Sequence, residues 1–313
     1  MCGSGKKLRD RIEIARNLLP SDLNQITKPQ LLQFTHDILS ICGLRLWRRM
    51  GQHFLVSPDI LRFLLLNANP KSDDIILEIG GGIGTLSLFL APNAKKLIII
   101  EKDHRLIDVL SILFRDFSNV LILPGDACKV DWPPFDKLVS NLPYQISSPI
   151  TLRLTRKKFC AAIITFQLEF AQRLLASAGD RDYSRISVQS NLFFETEMML
   201  KLGNEAFFPT PNVASAIVKI TPRSRPPALD LDLFAQFLAI LFSRKNKKVA
   251  NNLIPYFKRR SKQTSHLVEK VLHLLKIHDT RPSHLSPREI LQLFSNLRVS
   301  FQSHGISFTK TLL

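Results

Sequence analysis

Cysteine is scarce in this sequence, and long apolar runs are absent. The four cysteines among 313 residues show no CxxC spacing. They are too few to hold a fold of this size together, so we expect reduced thiols and no metal site. No stretch approaches the roughly 20 apolar residues that cross a bilayer. Residues 1–19 are charged and amphipathic, without the apolar core of a signal peptide. We therefore expect a cytoplasmic protein with no membrane anchor.

Acidic residues are few at both ends of the chain, and the formal charge is +17. Residues 1–50 contain 9 Lys and Arg against 4 Asp and Glu, and residues 221–313 contain 16 against 5. Residues 51–220 are nearly neutral, with 18 against 17. This distribution predicts a central catalytic unit flanked by surfaces that bind a polyanion, and it favours nucleic acid over a membrane. General solubility is the alternative explanation.

Short apolar runs alternate with amphipathic segments from residue 73 to residue 222. This alternation predicts an α/β fold, in which helices cover both faces of a parallel sheet. Ligands of such sheets bind at the carboxyl ends of the strands. Beyond the proline-rich RSRPPALD, the apolar residues have helical spacing, with Lys and Arg grouped on turns. A small helical second domain is therefore expected.

The sequence predicts three parts. They are a basic helical N-terminal extension (1–48), a catalytic domain (49–222) and a helical RNA-binding domain (223–313). The extension contains two amphipathic helical stretches, which we expect Pro20 and Pro29 to separate.

The glycine-rich EIGGGIG, which begins at Glu78, follows a predicted strand and opens a predicted helix. Its glycines allow a tight turn, and free N–H groups at a helix start face a ligand. Alone, such a turn fits a dinucleotide, a nucleoside or a purely structural contact. Glu101 ends the next strand, where a carboxylate can accept both ribose hydroxyls, and Asp126 ends the third, where it can accept from an adenine amine. The glycine turn is thus followed by two carboxylates, each at the end of a strand, and the Lys-Ser/Thr pair of a phosphate-binding loop is missing. This combination favours S-adenosylmethionine over NAD or ATP.

The tetrapeptide NLPY follows the predicted strand KLVS. The Asn141 side chain and the Leu142 backbone each offer a carbonyl to an adenine amine, whose lone pair is delocalised into the ring. Pro143 fixes φ and removes a competing N–H donor. Tyr144 can stack on the base, and Phe166, at the end of the following strand, can cover its other face. The segment predicts a clamp for adenine N6 that acts by positioning; a turn with a buried tyrosine is the alternative.

From about residue 50 to residue 293 the sequence resembles the small-subunit ribosomal RNA adenine N6,N6-dimethyltransferases, the KsgA family. Ten motifs carry the resemblance in order: GQHFL, LEIGGGIGTL, IIIEKD, GDA, SNLPYQISSPI, FQLEFAQRLLA, YSRISV, FFPTPNVASAIV, FSRKNKKVANNL and RPSHLSPREILQL. The segments QLEFAQRL and NLPYQISSPI resemble the archaeal branch of the family more than the others.

The resemblance implies a Rossmann-like class I methyltransferase sheet with a small C-terminal helical domain. It implies dimethylation of two adjacent adenosines in a hairpin near the 3′ end of small-subunit RNA, and a role in ribosome biogenesis. We expect a monomer that uses S-adenosylmethionine and acts on a pre-ribosomal particle.

From the resemblance and the motifs together we predict which residues contact the cofactor and the RNA. Expected cofactor contacts are Gln52, His53, Leu55, Glu78, Gly80, Gly82, Glu101, Asp126, Ala127 and Asn141. Expected RNA contacts form two basic clusters, one of Arg244, Lys245, Lys247 and Lys248, and one of Lys258, Arg259 and Arg260. Where the family usually has Gly-Pro-Gly, this sequence has Gly at position 81. The segment before Met50 lies outside the resemblance.

Three other functions compete with this one. They are methylation of large-subunit RNA, methylation of adenine in DNA, and a non-catalytic role in ribosome assembly or transcription. DNA enzymes of this chemistry tend to have PPY where this chain has LPY. A non-catalytic relative should have lost Asn141, Tyr144 or Asp126, and all three are present.

Overall fold

The structure is a computed structural model that describes residues 2–17, 19–20, 22–43 and 53–309, with side chains from residue 10 onward. The chain folds into two compact units. The first comprises Met1–Ala171 and Thr196–Pro222, and the second comprises Gln172–Glu195 and Arg223–Leu313. The segment Gln172–Glu195 therefore groups with the C-terminal helices, although the sequence suggested a single catalytic segment up to residue 222. The three-part division of the sequence stays a prediction.

Strands of the first unit follow the apolar runs of the sequence. In the described residues the strands are β1 (Phe54–Leu55), β2 (Ile75–Ile79), β3 (Lys96–Glu101), β4 (Val120–Pro124), β5 (Lys137–Asn141), β6 (Ala161–Gln167), β7 (Phe194–Leu202), β8 (Phe207–Phe208) and β9 (Ser215–Pro222). Strands β1 and β8 pair antiparallel. The other seven form one sheet in the order β4-β3-β2-β5-β6-β9-β7.

The sheet is parallel from β4 to β6, and β9 runs antiparallel to β6. Residues 76, 77 and 79 of β2 and residues 97–100 of β3 are at most 2% exposed, because helices cover both faces of a parallel sheet. The predicted α/β class is confirmed. The antiparallel strand was not predicted, since an apolar run does not reveal the direction of its strand.

The helices that begin in the first unit are α1 (Cys2–Asn17), α2 (Lys28–Ile41), α3 (Pro58–Ala68), α4 (Thr85–Leu90), α5 (His104–Leu113), α6 (Ser147–Leu154) and α7 (Leu168–Leu175). Among the described residues, no helix combines the length and apolar character needed to cross a bilayer.

The N-terminal helices α1 and α2 join the core of the first unit. Ile12, Phe34 and Ile38 are at most 2% exposed and belong to the same apolar cluster as the sheet. Helix α1 packs against α5, and Arg115 pairs with Glu13 beside that contact. Pro29 lies in the first turn of α2 rather than between the helices, because proline suits a position whose N–H has no partner within the helix.

The second unit is helical. Its remaining helices are α8 (Arg185–Phe193), α9 (Leu231–Leu241), α10 (Val249–Lys258), α11 (Lys262–Leu274) and α12 (Pro287–Ser303). The hydroxyl of the fully buried Tyr183 donates to the Leu285 carbonyl at 2.9 Å. This bond ties the segment before α8 to the segment before α12.

Candidate active site

A cavity of about 300 Å3 lies at the carboxyl ends of β2, β3 and β5 and beside the turn after β4. Parallel strands bring their carboxyl ends to one edge of the sheet, so residues far apart in sequence meet there. The predicted residues that line the cavity are His53, Leu55, Glu78, Gly80, Gly82, Glu101, Asp126, Ala127, Asn141, Leu142, Pro143 and Tyr144. Gln52 lies outside the described residues, and Phe166 does not line the cavity.

The glycine turn between β2 and α4 is tightly packed, most of all at Gly81. Gly82 has a φ of +59°, a backbone conformation that glycine adopts readily. A Cβ atom at Gly81 would overlap Cγ2 of Ile99, which is fully buried on β3. Ile99 thus fills the space that a side chain at position 81 would need.

Glu101 organises this turn from the end of β3. Its Oε2 accepts the Gly82 N–H at 3.0 Å, and its Oε1 accepts the N–H groups of Lys102 and Asp103 at 2.7 and 3.0 Å. Burial raises the pKa of Glu101, and the three backbone donors oppose that shift because they stabilise the carboxylate. Glu101 therefore fixes the loop as well as presenting an acceptor to the cavity.

Glu78 is a second buried acid in the wall of the cavity. It is 1% exposed, and the Ser87 hydroxyl donates to its Oε2 at 2.5 Å. Burial raises the pKa of Glu78 to about 8, and the nearby Glu101 adds to the shift. Glu78 is therefore mostly protonated at neutral pH, which avoids two buried negative charges side by side.

Asp126 is more accessible than the two glutamates. Its Oδ1 accepts the Cys128 N–H at 2.9 Å, and its Oδ2 pairs with Lys102 Nζ at 3.0 Å. The bond from Lys102 lowers the pKa of Asp126, and the backbone donor lowers it further. Asp126 is thus an ionised acceptor whose exposed partner, Lys102, can move away.

The Asn141 amide has a fixed orientation. Its Nδ2 donates to the backbone carbonyl of His53 at 2.8 Å. Ser140, just before it, donates to the Ile79 carbonyl at 2.6 Å and ties β5 to β2. Because the amino group of Asn141 is engaged, its Oδ1 remains as the acceptor.

Tyr144 is held from two sides. Its hydroxyl lies 2.6 Å from Ser215 Oγ, and its ring stacks on the His53 ring with centroids 5.8 Å apart. Burial raises the pKa of Tyr144, so it stays a neutral phenol. Phe166 is fully buried, and its ring contacts Phe170 at 5.0 Å. The structure therefore brings Tyr144, but not Phe166, to the cavity.

Residues 44–287 match the family described as ribosomal RNA adenine dimethylase. The chain belongs to this family. It is 37% identical over 261 residues to a Pyrococcus abyssi protein named "Probable ribosomal RNA small subunit methyltransferase A", across 83% of this chain and 95% of that protein.

Solved structures agree with this assignment. A dimethyladenosine transferase from Plasmodium falciparum is 34% identical with a TM-score of 0.68, over 82% of this chain and all of that chain. The 23S rRNA methyltransferase ErmE is 26% identical with a TM-score of 0.58, over 78% of this chain and 99% of that chain.

The cavity suits the methyl donor of an rRNA adenine dimethylase. S-adenosylmethionine is that donor, and ribosomal RNA is the substrate of the family. The volume lies at the lower end of the range for small-molecule sites. The glycine turn permits close approach of a ligand to the backbone, and Glu101 and Asp126 present acceptors at separate points of the wall. The chain is thus an S-adenosylmethionine-dependent methyltransferase, as its motifs predicted.

Several contacts in this candidate site were not predicted. Ser87, Lys102 and Ser215 contact Glu78, Asp126 and Tyr144 respectively. Serine and lysine are common surface residues, so no local pattern singles these positions out.

The two predicted basic clusters lie at opposite ends of α10 in the second unit. Arg244 donates to the Asn251 carbonyl at 2.5 Å and Lys245 to the Arg181 carbonyl at 2.7 Å, so both already have structural partners. Lys248 pairs with Asp279 at 2.6 Å.

The remaining basic residues of the clusters are exposed. Arg260 lies over the Tyr256 ring, 4.2 Å from its centroid. The described residues offer no hydrogen bond or ion pair to the side chains of Lys247, Lys258 or Arg259. Within the two clusters, these three cations are therefore the most available to a polyanion.

Proposed function

We propose that this enzyme dimethylates N6 of two adjacent adenosines in a hairpin near the 3′ end of small-subunit ribosomal RNA. The observation that carries the amine chemistry is the orientation of Asn141, whose Nδ2 is engaged by the His53 carbonyl while Oδ1 remains to accept. The similarity to proteins named small-subunit methyltransferases supports the choice of RNA.

Positioning supplies most of the proposed catalysis. S-adenosylmethionine carries an activated methyl group on a sulfonium. Asn141 Oδ1 and the Leu142 carbonyl accept hydrogen bonds from the adenine amine and concentrate electron density on its nitrogen. Tyr144, held by Ser215, supplies a stacking face for the base. Glu101 and Asp126 accept from the ribose hydroxyls and from the adenine amine of the cofactor, respectively. His53, Leu55, Gly80, Gly82 and Ala127 line the remainder of this site.

The second unit supplies the proposed RNA-binding surface. Its exposed cations at both ends of α10 suit the phosphate backbone of a structured RNA. We also propose that the enzyme acts as a monomer on a pre-ribosomal particle during ribosome biogenesis, in the cytoplasm.

Mass spectrometry of the modified RNA tests this function. Small and large ribosomal subunits that lack the modification should each be incubated with the enzyme and labelled S-adenosylmethionine. We expect N6,N6-dimethyladenosine at two adjacent positions near the 3′ end of the small-subunit RNA. Label confined to large-subunit RNA would favour the activity named for ErmE, and label in neither RNA would contradict the proposal.

The salt dependence of RNA binding tests the basic surface. We expect the Lys247→Glu, Lys258→Glu double variant to flatten the log–log slope of affinity against salt by about one to two units, because each phosphate contact contributes roughly 0.7 to 0.9. Both lysines are exposed, so the substitutions should not disturb packing.

The matched control is the Lys95→Glu, Lys96→Glu double variant. It makes the same charge change at two exposed residues at the amino end of β3, away from the cavity. A slope equal to wild type in both double variants would show that the α10 clusters do not bind phosphate.

A further inference from the structure

Three potential metal ligands meet in the second unit, outside the residues assigned to cofactor or RNA. Glu269 and His273 lie one turn apart on α11, and His278 lies on the loop that follows. Ligand atoms of all three lie within 4.8 Å of one another. The two imidazole rings are stacked, with centroids 4.6 Å apart and planes inclined by 13°.

The backbone fixes the loop that carries His278. The Ile277 N–H donates to the Leu272 carbonyl at 3.0 Å, which folds the loop back onto α11. The Val249 N–H donates to the Thr280 carbonyl at 2.8 Å, which joins the loop to the start of α10. Ile277 itself is 7% exposed. Since both ends of the loop are bonded, little backbone order remains to be gained when a ligand binds at His278.

The Asp279 carboxylate lies beside the His278 ring, in the place that a second-sphere carboxylate takes in histidine metal sites. Its Oδ1 lies 3.5 Å from His278 Nδ1. A proton on Nδ1 facing this carboxylate leaves the lone pair on Nε2, the arrangement found for histidines that bind zinc. The same carboxylate pairs with Lys248 at 2.6 Å, which holds it in place.

We propose that Glu269, His273 and His278 bind a first-row transition-metal dication, with Zn²⁺ as the representative ion. Two imidazole nitrogens and one carboxylate oxygen suit zinc and its neighbours, whereas Mg²⁺ and Ca²⁺ prefer oxygen ligands alone. Glu269 and His273 are exposed and His278 is half-buried, so water completes the coordination sphere. The bound ion links the C-terminal part of α11 to the following loop, which carries His278 and is bonded to the start of α10.

Calorimetric titration of the full-length protein with zinc chloride tests the proposal. We expect one ion per chain for wild type, and loss of that binding in the His273→Ala, His278→Ala double variant. Asp279→Asn should weaken zinc binding by about 10- to 100-fold, the usual effect of removing a second-sphere partner. Helical circular dichroism without zinc checks that each variant is folded.

His266→Ala is the matched control. His266 is an exposed histidine on the same helix, outside the cluster. Zinc affinity equal to wild type in this variant, together with loss in the double variant, would assign the ion to the cluster and exclude the cysteines as its ligands. Absence of stoichiometric binding to wild type, or binding unchanged in the double variant, would overturn the proposal.

Discussion

Replacing Asn141 with Ala is expected to lower the single-turnover methylation rate by about two to three orders of magnitude. That is the usual effect of removing one preorganised polar contact to a transition state. In the structure the His53 carbonyl holds the Asn141 amino group at 2.8 Å, so Oδ1 is fixed before substrate arrives. Alanine removes this acceptor and the bond that joins β5 to the segment before β1.

Tyr144→Phe is the control for this prediction. It keeps the ring that we propose stacks on the base and removes only the hydroxyl bond to Ser215. We expect its single-turnover rate to stay close to wild type, whereas Tyr144→Ala should weaken RNA binding. A near wild-type rate for Asn141→Ala, measured with saturating cofactor and RNA, would reject the proposed clamp.

Much of the lining of the cavity could be predicted from the sequence because the lining residues follow strands. The glycine turn, Glu101, Asp126 and Asn141 each come directly after an apolar run, and a parallel sheet brings such positions to one edge. Their partners were not predictable. Ser215 lies 71 residues from Tyr144 in sequence, and their meeting depends on the antiparallel register of β9 against β6.

Phe166 shows the limit of this argument from strand ends. It lies near the end of β6, opposite Ala216 of β9, but side chains alternate between the two faces of a strand. Its side chain is fully buried against Phe170. Stacking of Phe166 on a base stays a prediction, and it would require this ring to leave the core.

The N-terminal helices show a different limit. Amphipathic spacing indicated helices before residue 50, but it did not indicate the surface that would cover their apolar faces. In the structure Ile12 and Phe34 complete the core of the first unit. Periodicity gives the face of a helix that is buried, whereas the partner of that face depends on tertiary packing.

Glu101→Ala is expected to weaken S-adenosylmethionine binding by about ten- to more than a hundredfold. Loss of one hydrogen bond to a charged group costs about 1.5–3 kcal/mol, and every 1.4 kcal/mol is a factor of ten in affinity. The variant also leaves the N–H groups of Gly82, Lys102 and Asp103 without their acceptor, so the glycine turn loses its support. Glu101→Gln retains one acceptor oxygen and should lose less affinity than Glu101→Ala.

The Asp126→Asn variant tests cofactor binding without removing a hydrogen bond from the glycine turn. Asparagine keeps an oxygen for the Cys128 N–H but lacks the charge that pairs with Lys102. We therefore expect a smaller loss of cofactor affinity than for Glu101→Ala, with unchanged thermal stability. Asp108→Asn makes the same charge change at an exposed position on α5, outside the cavity, and should bind cofactor as wild type does. If calorimetry gave wild-type affinity for the Glu101 and Asp126 variants alike, the cofactor could not occupy this cavity in the proposed way.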